Sequence, residues 1–138
     1  MKSLSALGSV LLLSTATHAA GTVDGLDIHT TKPGPYCSRK SKNGDKLHMN
    51  YRGTLQSDGS EFDSSIGRTP FVFTLGAGQV IKGWDLGLVD MCIGESRRLT
   101  IQPSLGYGSS DMDVIPPNSV LSMSFMAPCF LCEANEAV

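Results

Sequence analysis

The segment of residues 76–91 restricts the fold more than any other part of the chain, because it places the only tryptophan, Trp84, in a short apolar turn. Val80, Ile81, Trp84 and Leu88 recur at spacings of three and four residues, which predicts that they share one face of a short helix. A helix this short is not stable alone and must pack against a sheet. Taken alone, the segment predicts a helix that contributes to a hydrophobic core.

Short strands separated by turns account for most of the remaining chain. Leu47, Met49 and Tyr51 alternate with polar residues, as expected for a half-buried strand. Further strands are predicted around Phe62 and over residues 71–75, 97–102 and 120–126, with a weak one in residues 21–35 and an irregular loop over residues 103–117. The pattern predicts one domain with an antiparallel α+β fold, in which the sheet curls around the helix and buries Trp84.

Residues 1–19 have the features of a secretory signal peptide. Lys2 supplies a basic start, residues 4–13 an apolar core and residues 17–19 a small-residue cleavage site, with cleavage after Ala19 or Ala20 fitting equally. The apolar run is too short for a permanent membrane anchor. We therefore expect a soluble protein in the secretory pathway. It would be luminal in the endoplasmic reticulum or secreted, since no Lys-Asp-Glu-Leu type ending is present.

The four cysteines allow two separate interpretations. Cys37 and Cys92 can form a disulfide in an oxidising compartment, or stay as two buried free thiols. Cys129 and Cys132 have the C-x-x-C spacing of dithiol redox enzymes, but they follow Pro128 with no βαβ unit before them. An ordinary disulfide or two free thiols fits that pair better than a catalytic one.

Several functional classes find no support in the composition. The formal net charge is −2 and the basic residues are scattered, so no nucleic acid partner is expected, and Arg97 and Arg98 are interpreted as solvated surface. No histidine and carboxylate cluster has metal-ligand spacing, and no nucleotide-binding or nucleophile motif is present. Glu61 and Asp63 are read as exposed strand residues and not as a hydrolase pair. An enzyme of this composition would work by binding and distorting its substrate, without metal or cofactor.

Four motifs, taken in order, resemble the FK506-binding-protein (FKBP) family of peptidyl-prolyl cis/trans isomerases, most of all its small secretory-pathway branch. They are M-N-Y-R-G at residues 49–53, G-S-E-F-D-S-S at 59–65, G-Q-V-I-K-G-W-D at 78–85, and L-G-Y-G at 105–108 followed by I-P-P at 115–117. The resemblance covers residues 45–121. It implies a five- or six-stranded antiparallel half-barrel sheet wrapped around one short helix.

The resemblance also implies a binding pocket. Trp84 would form its floor, and the Ile81 backbone N–H and the Tyr107 hydroxyl would donate hydrogen bonds to substrate carbonyls. Asp63 would lie at the polar edge. The remaining pocket residues would be the walls Tyr51, Phe62, Phe71, Val80 and Ile81, with Tyr107 and Ile115 overhanging the rim.

The activity that the resemblance implies is X–Pro isomerisation during protein folding. The expected partners are proline-containing polypeptides, with the macrolides FK506 and rapamycin as inhibitors, and the protein would be a monomer with no membrane anchor. Two other interpretations stay open. One is a binding or chaperone module with little turnover, and the other is a dithiol oxidoreductase using Cys129 and Cys132.

The chain departs from the family pattern near its end. Met123 occupies the position of a pocket phenylalanine, and Pro128 is expected to end the pairing of the last strand. We therefore divide the chain into a signal peptide (1–19), an isomerase domain (20–127) and a divergent tail (128–138). The tail is either genuine divergence or the product of an altered splice or reading frame. A shortened loop also leaves Arg68 an imperfect match to the basic residue that often pairs with the pocket aspartate.

Overall fold

The computed structural model describes residues 23–35 and 37–130. Its elements are β1 (Leu26–Lys32), β2 (Lys46–Leu55), β3 (Glu61–Ser64), β4 (Phe71–Thr74), α1 (Lys82–Gly87), β5 (Ser96–Ile101), a 3₁₀ turn (Pro103–Leu105) and β6 (Leu121–Phe130). The six strands form one antiparallel sheet in the order β1-β5-β6-β2-β3, and β4 also pairs with β2. The sheet is not closed into a barrel. The predicted α+β sheet with a single short helix is confirmed.

The long strand β2 organises the sheet because it pairs on both of its edges. One edge pairs along its length with β6, while the other pairs first with β4 and then with β3. Its inward residues Leu47 and Met49 are fully buried, as their alternation predicts. Strands β3 and β4 thus follow one another along the same edge of β2. Together they lie around one end of the helix and leave room for a cavity.

Helix α1 lies very close to β5 because two of its residues are glycines. A Cβ atom on Gly83 would lie 2.7 Å from Ile101 Cγ2, and one on Gly87 would lie 2.6 Å from Leu99 Cδ1. Leu99 and Ile101 are themselves fully buried. The glycines therefore allow the helix to rest directly on the side chains of the sheet.

The helix is shorter than its apolar spacing indicates. It begins at Lys82, so the prediction that Val80 and Ile81 lie within it is wrong. Ile81 has extended backbone (ψ 154°), and its carbonyl accepts hydrogen bonds from the Trp84 and Asp85 backbone N–H groups. The turn of residues 76–79, with Gly76 and Gly78 at positive φ, brings the chain to the helix in an extended form.

Strand β6 continues beyond its expected end. The prediction that Pro128 ends its pairing is wrong, because positions 129 and 130 pair with His48 and Leu47 of β2. The register shifts between His48 and Asn50, so that residues 127 and 128 both face the single residue Met49. A proline is tolerated at such an irregularity, since no ladder hydrogen bond is required from it. The predicted signal peptide and residues 131–138 lie outside the described residues.

Arg97 is not the solvated surface residue that its position beside Arg98 indicated. Its exposed fraction is 7%, and its guanidinium forms an ion pair with the buried Glu95 carboxylate (2.7 Å). Arg98, the next residue along β5, is exposed. The expectation of solvated surface holds for Arg98 and is wrong for Arg97.

A disulfide joins Cys37, in the segment after β1, to Cys92, in the turn before β5. The two cysteines are separated by 55 residues, and closure of a loop of this length is a substantial restriction of the unfolded chain. No helix in residues 23–35 or 37–130 is long and apolar enough to cross a membrane.

Replacement of both Cys37 and Cys92 by serine should lower the free energy of unfolding by about 2–4 kcal/mol, because the unfolded chain regains the entropy that the bridge removes. Urea denaturation followed by circular dichroism measures the change. The matched control replaces Cys129 and Cys132 and leaves the bridge in place. An unchanged denaturation midpoint for the first variant would contradict the prediction.

Candidate functional site

A cavity of about 230 Å³ opens between α1, β3, β4 and the loop after β5. Apolar and aromatic side chains from all these elements form most of its wall. Its lining residues are Tyr51, Phe62, Asp63, Phe71, Gln79, Val80, Ile81, Trp84, Tyr107, Leu121 and Met123. Eight of the nine residues predicted for the site are therefore brought together.

Ile115 is the predicted site residue that does not line this cavity. Its side chain is buried (5% exposed) and belongs to the hydrophobic core, while its neighbour Val114 is exposed. The backbones of Met112 and Ile115 bridge each other, which forms a turn that directs Ile115 inward. Tyr107 of the same loop lines the cavity, whereas Ile115 packs in the core, and a role of Ile115 at the site stays a prediction.

Trp84 is held at the base of the cavity by aromatic neighbours on four sides. The rings of Tyr51 and Phe125 meet it edge-on, with centroids 5.0 Å and 4.8 Å away. Phe71 and Phe73 lie at 6.0 Å and 5.8 Å. These are the separations and angles at which aromatic pairs attract one another. The indole is thus fixed, with 7% of Trp84 exposed.

The polar edge of the cavity is a tyrosine–aspartate pair. The Tyr51 hydroxyl donates to Asp63 Oδ2 over 2.6 Å, and the Ser64 backbone N–H donates to Asp63 Oδ1 over 2.8 Å. Ion pairs in the described part of the chain are Arg39–Asp45, Arg52–Glu61 and Arg97–Glu95, so Arg68 does not pair with Asp63 there. The aspartate is therefore oriented by hydrogen-bond donors and not by a cation.

Burial and the adjacent Asp63 carboxylate raise the pKa of Tyr51 to about 12, from a reference of 10.0. Burial, followed by the charge of Asp63, also raises the pKa of Tyr107. Both effects disfavour the phenolate. The two phenols consequently stay protonated, and able to donate hydrogen bonds, throughout the neutral range.

Because its folded-state pKa is raised, Tyr51 favours folding at every pH below about 10, and this contribution disappears as the pH rises towards about 12. We expect the phenolate absorbance of the native protein to show one tyrosine that ionises near pH 12. Replacing Tyr51 by phenylalanine should remove that step, while replacing Tyr107 should leave it. A step at pH 10 that vanishes in Tyr51→Phe would contradict the assignment.

The loop before α1 is held by side-chain acceptors. Asp85 accepts the backbone N–H groups of Gly76 (2.9 Å) and Gly78 (3.1 Å), and Gln79 Oε1 accepts that of Thr74 (2.9 Å). No hydrogen bond among residues 23–35 and 37–130 uses the Ile81 N–H or the Tyr107 hydroxyl as its donor. Within the described part of the chain these two donors have no partner, which leaves them available there to a ligand carbonyl.

Three lining residues were not among the predicted site residues. Leu121 and Met123 face inward by the alternation of β6, so the strand pattern contains a signal for both, and Met123 stands at the position where the family pattern has a phenylalanine. Gln79 lies within the 78–85 motif, but no sequence pattern assigned its own side chain to the cavity. The side chains of Cys129 and Cys132 lie outside the described structure, so the dithiol interpretation stays a prediction.

The fold is a half-open antiparallel sheet around one short helix, and its cavity is aromatic and edged by a few hydrogen-bonding groups. Residues 37–124 match the family described as FKBP-type peptidyl-prolyl cis-trans isomerase. The chain belongs to this family, as its motifs predicted.

The relatives agree with this assignment. Over 97 residues the chain is 55% identical to the human "Peptidyl-prolyl cis-trans isomerase FKBP2". The aligned region covers 70% of this chain and 67% of the human protein. The chain is 54% identical to "FK506-binding protein 2" of Podospora anserina over 82% of this chain, but spans only 61% of that relative's length. The crystal structure of AtFKBP13 superposes with a TM-score of 0.70 at 34% identity, covering 77% of this chain and 93% of that one.

Proposed function

We propose that this chain is a peptidyl-prolyl cis/trans isomerase that accelerates X–Pro isomerisation in polypeptides folding in the secretory pathway. The observation that carries the proposal is the aromatic cavity with Trp84 at its base and, as far as the described residues extend, two donors without partners at its rim. Its substrates are proline-containing polypeptides, and FK506 and rapamycin compete for the cavity. The protein acts as a soluble monomer after loss of residues 1–19, in the lumen of the endoplasmic reticulum or outside the cell.

The chemistry requires a change in binding during rotation and no covalent step. The barrier to amide rotation is about 18–20 kcal/mol because the planar form has partial C–N double-bond character. The twisted amide loses that resonance, so its carbonyl is less charge-separated and less dependent on water. An apolar cavity therefore favours the twisted form over the planar one, which lowers the barrier by differential binding.

In this mechanism the prolyl ring lies on Trp84, between the walls formed by Tyr51, Phe62, Phe71 and Val80. The Ile81 N–H and the Tyr107 hydroxyl donate to the carbonyls on either side and hold the flanking backbone. Asp63, oriented by Tyr51 and Ser64, forms the polar edge. Because no proton is transferred, kcat/KM should vary little between about pH 6 and pH 9, whereas a bell-shaped profile centred near neutrality would contradict the mechanism.

The deciding experiment measures cis/trans isomerisation of a short Leu-Pro peptide by protein that starts at Ala20, with and without FK506. Acceleration that FK506 abolishes supports the proposal. The second candidate is a binding or chaperone module, favoured by the flexible Met123 in place of an aromatic wall. Folded protein that binds FK506 without accelerating isomerisation would establish that second function and reject the first.

A further inference from the structure

We infer that Arg97, oriented by Glu95, is a positioning residue for the cavity: it holds the carboxyl end of α1 and so sets the place of Trp84. Its effect on turnover rests on the proposed function. Its effect on Trp84 itself does not depend on that function.

Arg97 reaches from β5 to the chain that leaves the helix. Its Nη1 donates to the carbonyl oxygens of Gly87 (2.9 Å) and Val89 (2.7 Å), and its Nη2 donates to that of Asp90 (3.2 Å). The intervening carbonyl, that of Leu88, accepts the buried Ser41 hydroxyl over 2.6 Å. Four successive carbonyl oxygens, that of the last helical residue and those of the three residues after it, are thus bound by just two side chains.

Helix α1 ends without the glycine turn that commonly closes a helix, so these contacts hold the chain that leaves it. The last carbonyls of any helix lack partners within it, and a glycine with positive φ commonly supplies the turn that satisfies them. Here the cap is Leu88, the last turn carries no basic residue, and Asp90 is the residue at positive φ (60°). The guanidinium supplies a donor to the carbonyl of Gly87, the last helical residue, and to two carbonyls of the turn that follows, and its charge complements the negative end of the helix.

Glu95 fixes the guanidinium from the opposite side. Its Oε2 lies 2.7 Å from both Arg97 Nε and Arg97 Nη2, and its Oε1 accepts the Cys92 backbone N–H over 3.0 Å. Oε2 also accepts the Thr30 hydroxyl of β1 over 3.2 Å. Two charges that are more than nine-tenths buried therefore neutralise each other within a fully hydrogen-bonded set. The set connects β1, β5, the disulfide loop and α1.

A shift of α1 would move Trp84 and so change the shape of the cavity. The helix has six residues, and Trp84 precedes Gly87 by one turn, while Ile81 immediately precedes the helix. On its other side α1 rests on Leu99 and Ile101 through its glycines. This apolar contact prevents the helix from moving closer to the sheet, but it does not fix the direction in which the helix points. The hydrogen bonds from Arg97 are directional and therefore fix the orientation of the helix end. Arg97 is not among the residues that line the cavity, so its effect on a ligand passes through Trp84.

The geometry requires an arginine and not merely a positive charge. One planar guanidinium serves three carbonyl oxygens and a carboxylate at once, which a single ammonium group on a flexible stem cannot do in the same directions. Arg97→Lys therefore keeps the charge balance with Glu95 and removes the directional contacts. Arg98→Lys, the same substitution at the adjacent exposed position, is the matched control.

The experiment compares the two lysine variants with the wild-type protein. Trp84 is the only tryptophan, so its fluorescence reports the position of the cavity floor directly. We expect folded Arg97→Lys to show red-shifted Trp84 emission, more efficient acrylamide quenching, and FK506 affinity and kcat/KM lower by about tenfold to a hundredfold. Arg98→Lys should match the wild type in all four. A folded Arg97→Lys with wild-type fluorescence and affinity would overturn the inference.

If Arg97→Lys does not fold, Glu95→Gln is the variant that tests the inference. The glutamine amide has the shape of the carboxylate and keeps an oxygen that can accept the Cys92 backbone N–H. Altered Trp84 fluorescence in folded Glu95→Gln supports the inference, and a loss of stability alone, with unchanged fluorescence, rejects it. The fluorescence needs no catalytic activity. A wild-type protein without isomerase activity would therefore reject the proposed function, and the position of Trp84 would still be decided by these spectra.

Discussion

Trp84→Ala should lower the free energy of unfolding by about 3–5 kcal/mol and remove measurable FK506 binding and isomerase activity. The indole is the common neighbour of Tyr51, Phe71, Phe73 and Phe125, so its loss removes the largest apolar surface of the cavity and four aromatic contacts together. The neighbouring rings are anchored on β2, β4 and β6, so they can close the gap only in part.

The control for this prediction is Trp84→Phe, which keeps an aromatic ring on the same helix. We expect it to retain a cooperative unfolding transition and an intermediate affinity, with a smaller loss of stability. Circular dichroism in urea measures stability without the tryptophan signal, and calorimetry measures FK506 binding. Wild-type affinity in folded Trp84→Ala would show that ligands bind elsewhere on the protein.

The sheet and most of the cavity could be predicted because their signals are local. Leu47, Met49 and Tyr51 alternate with polar residues, and alternation alone assigns the face of a strand. The aromatic residues of β3, β4 and α1 follow turn signals that are visible in the sequence. Once those strands surround a short helix, their inward aromatic residues necessarily meet around it.

Contacts between distant residues were not predictable in the same way. Arg97 and Arg98 are adjacent and identical in type, and only the alternation with Leu99 separates them, by placing Arg97 on the inward face. What the alternation could not reveal is why burial of that charge is tolerated, because the acceptors are carbonyl oxygens of residues 87, 89 and 90, whose positions depend on where α1 ends. A charged residue on a core face is the signal that should have been followed.

Pro128 is a case in which a local rule about proline in strands does not hold, because the strand is irregular at that position. Proline cannot donate to a sheet ladder, so an end to pairing was expected. The register shift opposite Met49 removes the need for that donor, and β6 resumes pairing at residues 129 and 130. Such a bulge depends on the geometry of both strands, which no single strand sequence contains.

The second large effect is expected at Gly53, which lies on β2 directly opposite Met123 of β6 and Asp63 of β3. A Cβ atom there would lie 2.6 Å from Phe62 Cζ and 2.8 Å from Met123 Sδ, both of which are side-chain atoms of cavity-lining residues. The absence of a side chain at this position is therefore what allows the wall of the cavity to form where it does.

Gly53→Val should consequently affect binding more than folding. The branched side chain displaces the Phe62 ring and the Met123 thioether into a cavity of only about 230 Å³, and we expect FK506 affinity to fall by more than about tenfold. The loss of stability should stay within about 1–3 kcal/mol, the usual range for overpacking, because the Phe62 ring and the flexible Met123 can move towards the open cavity. Asn50→Ala, on the opposite face of the same strand, is the control and should leave affinity unchanged.

Shortening Met123 tests whether the displaced side chains cause the loss of FK506 affinity, because it removes one of the atoms that a side chain at position 53 would meet. In Gly53→Ala the added methyl group is the minimal version of the change, and combining it with Met123→Ala supplies the space that the methyl group needs. We expect the double variant to bind FK506 more tightly than the sum of the two single effects allows, since the two positions are in contact and their effects are not independent. Strictly additive losses would mean that Gly53 acts through the backbone of β2, and that the cavity wall does not depend on its missing side chain.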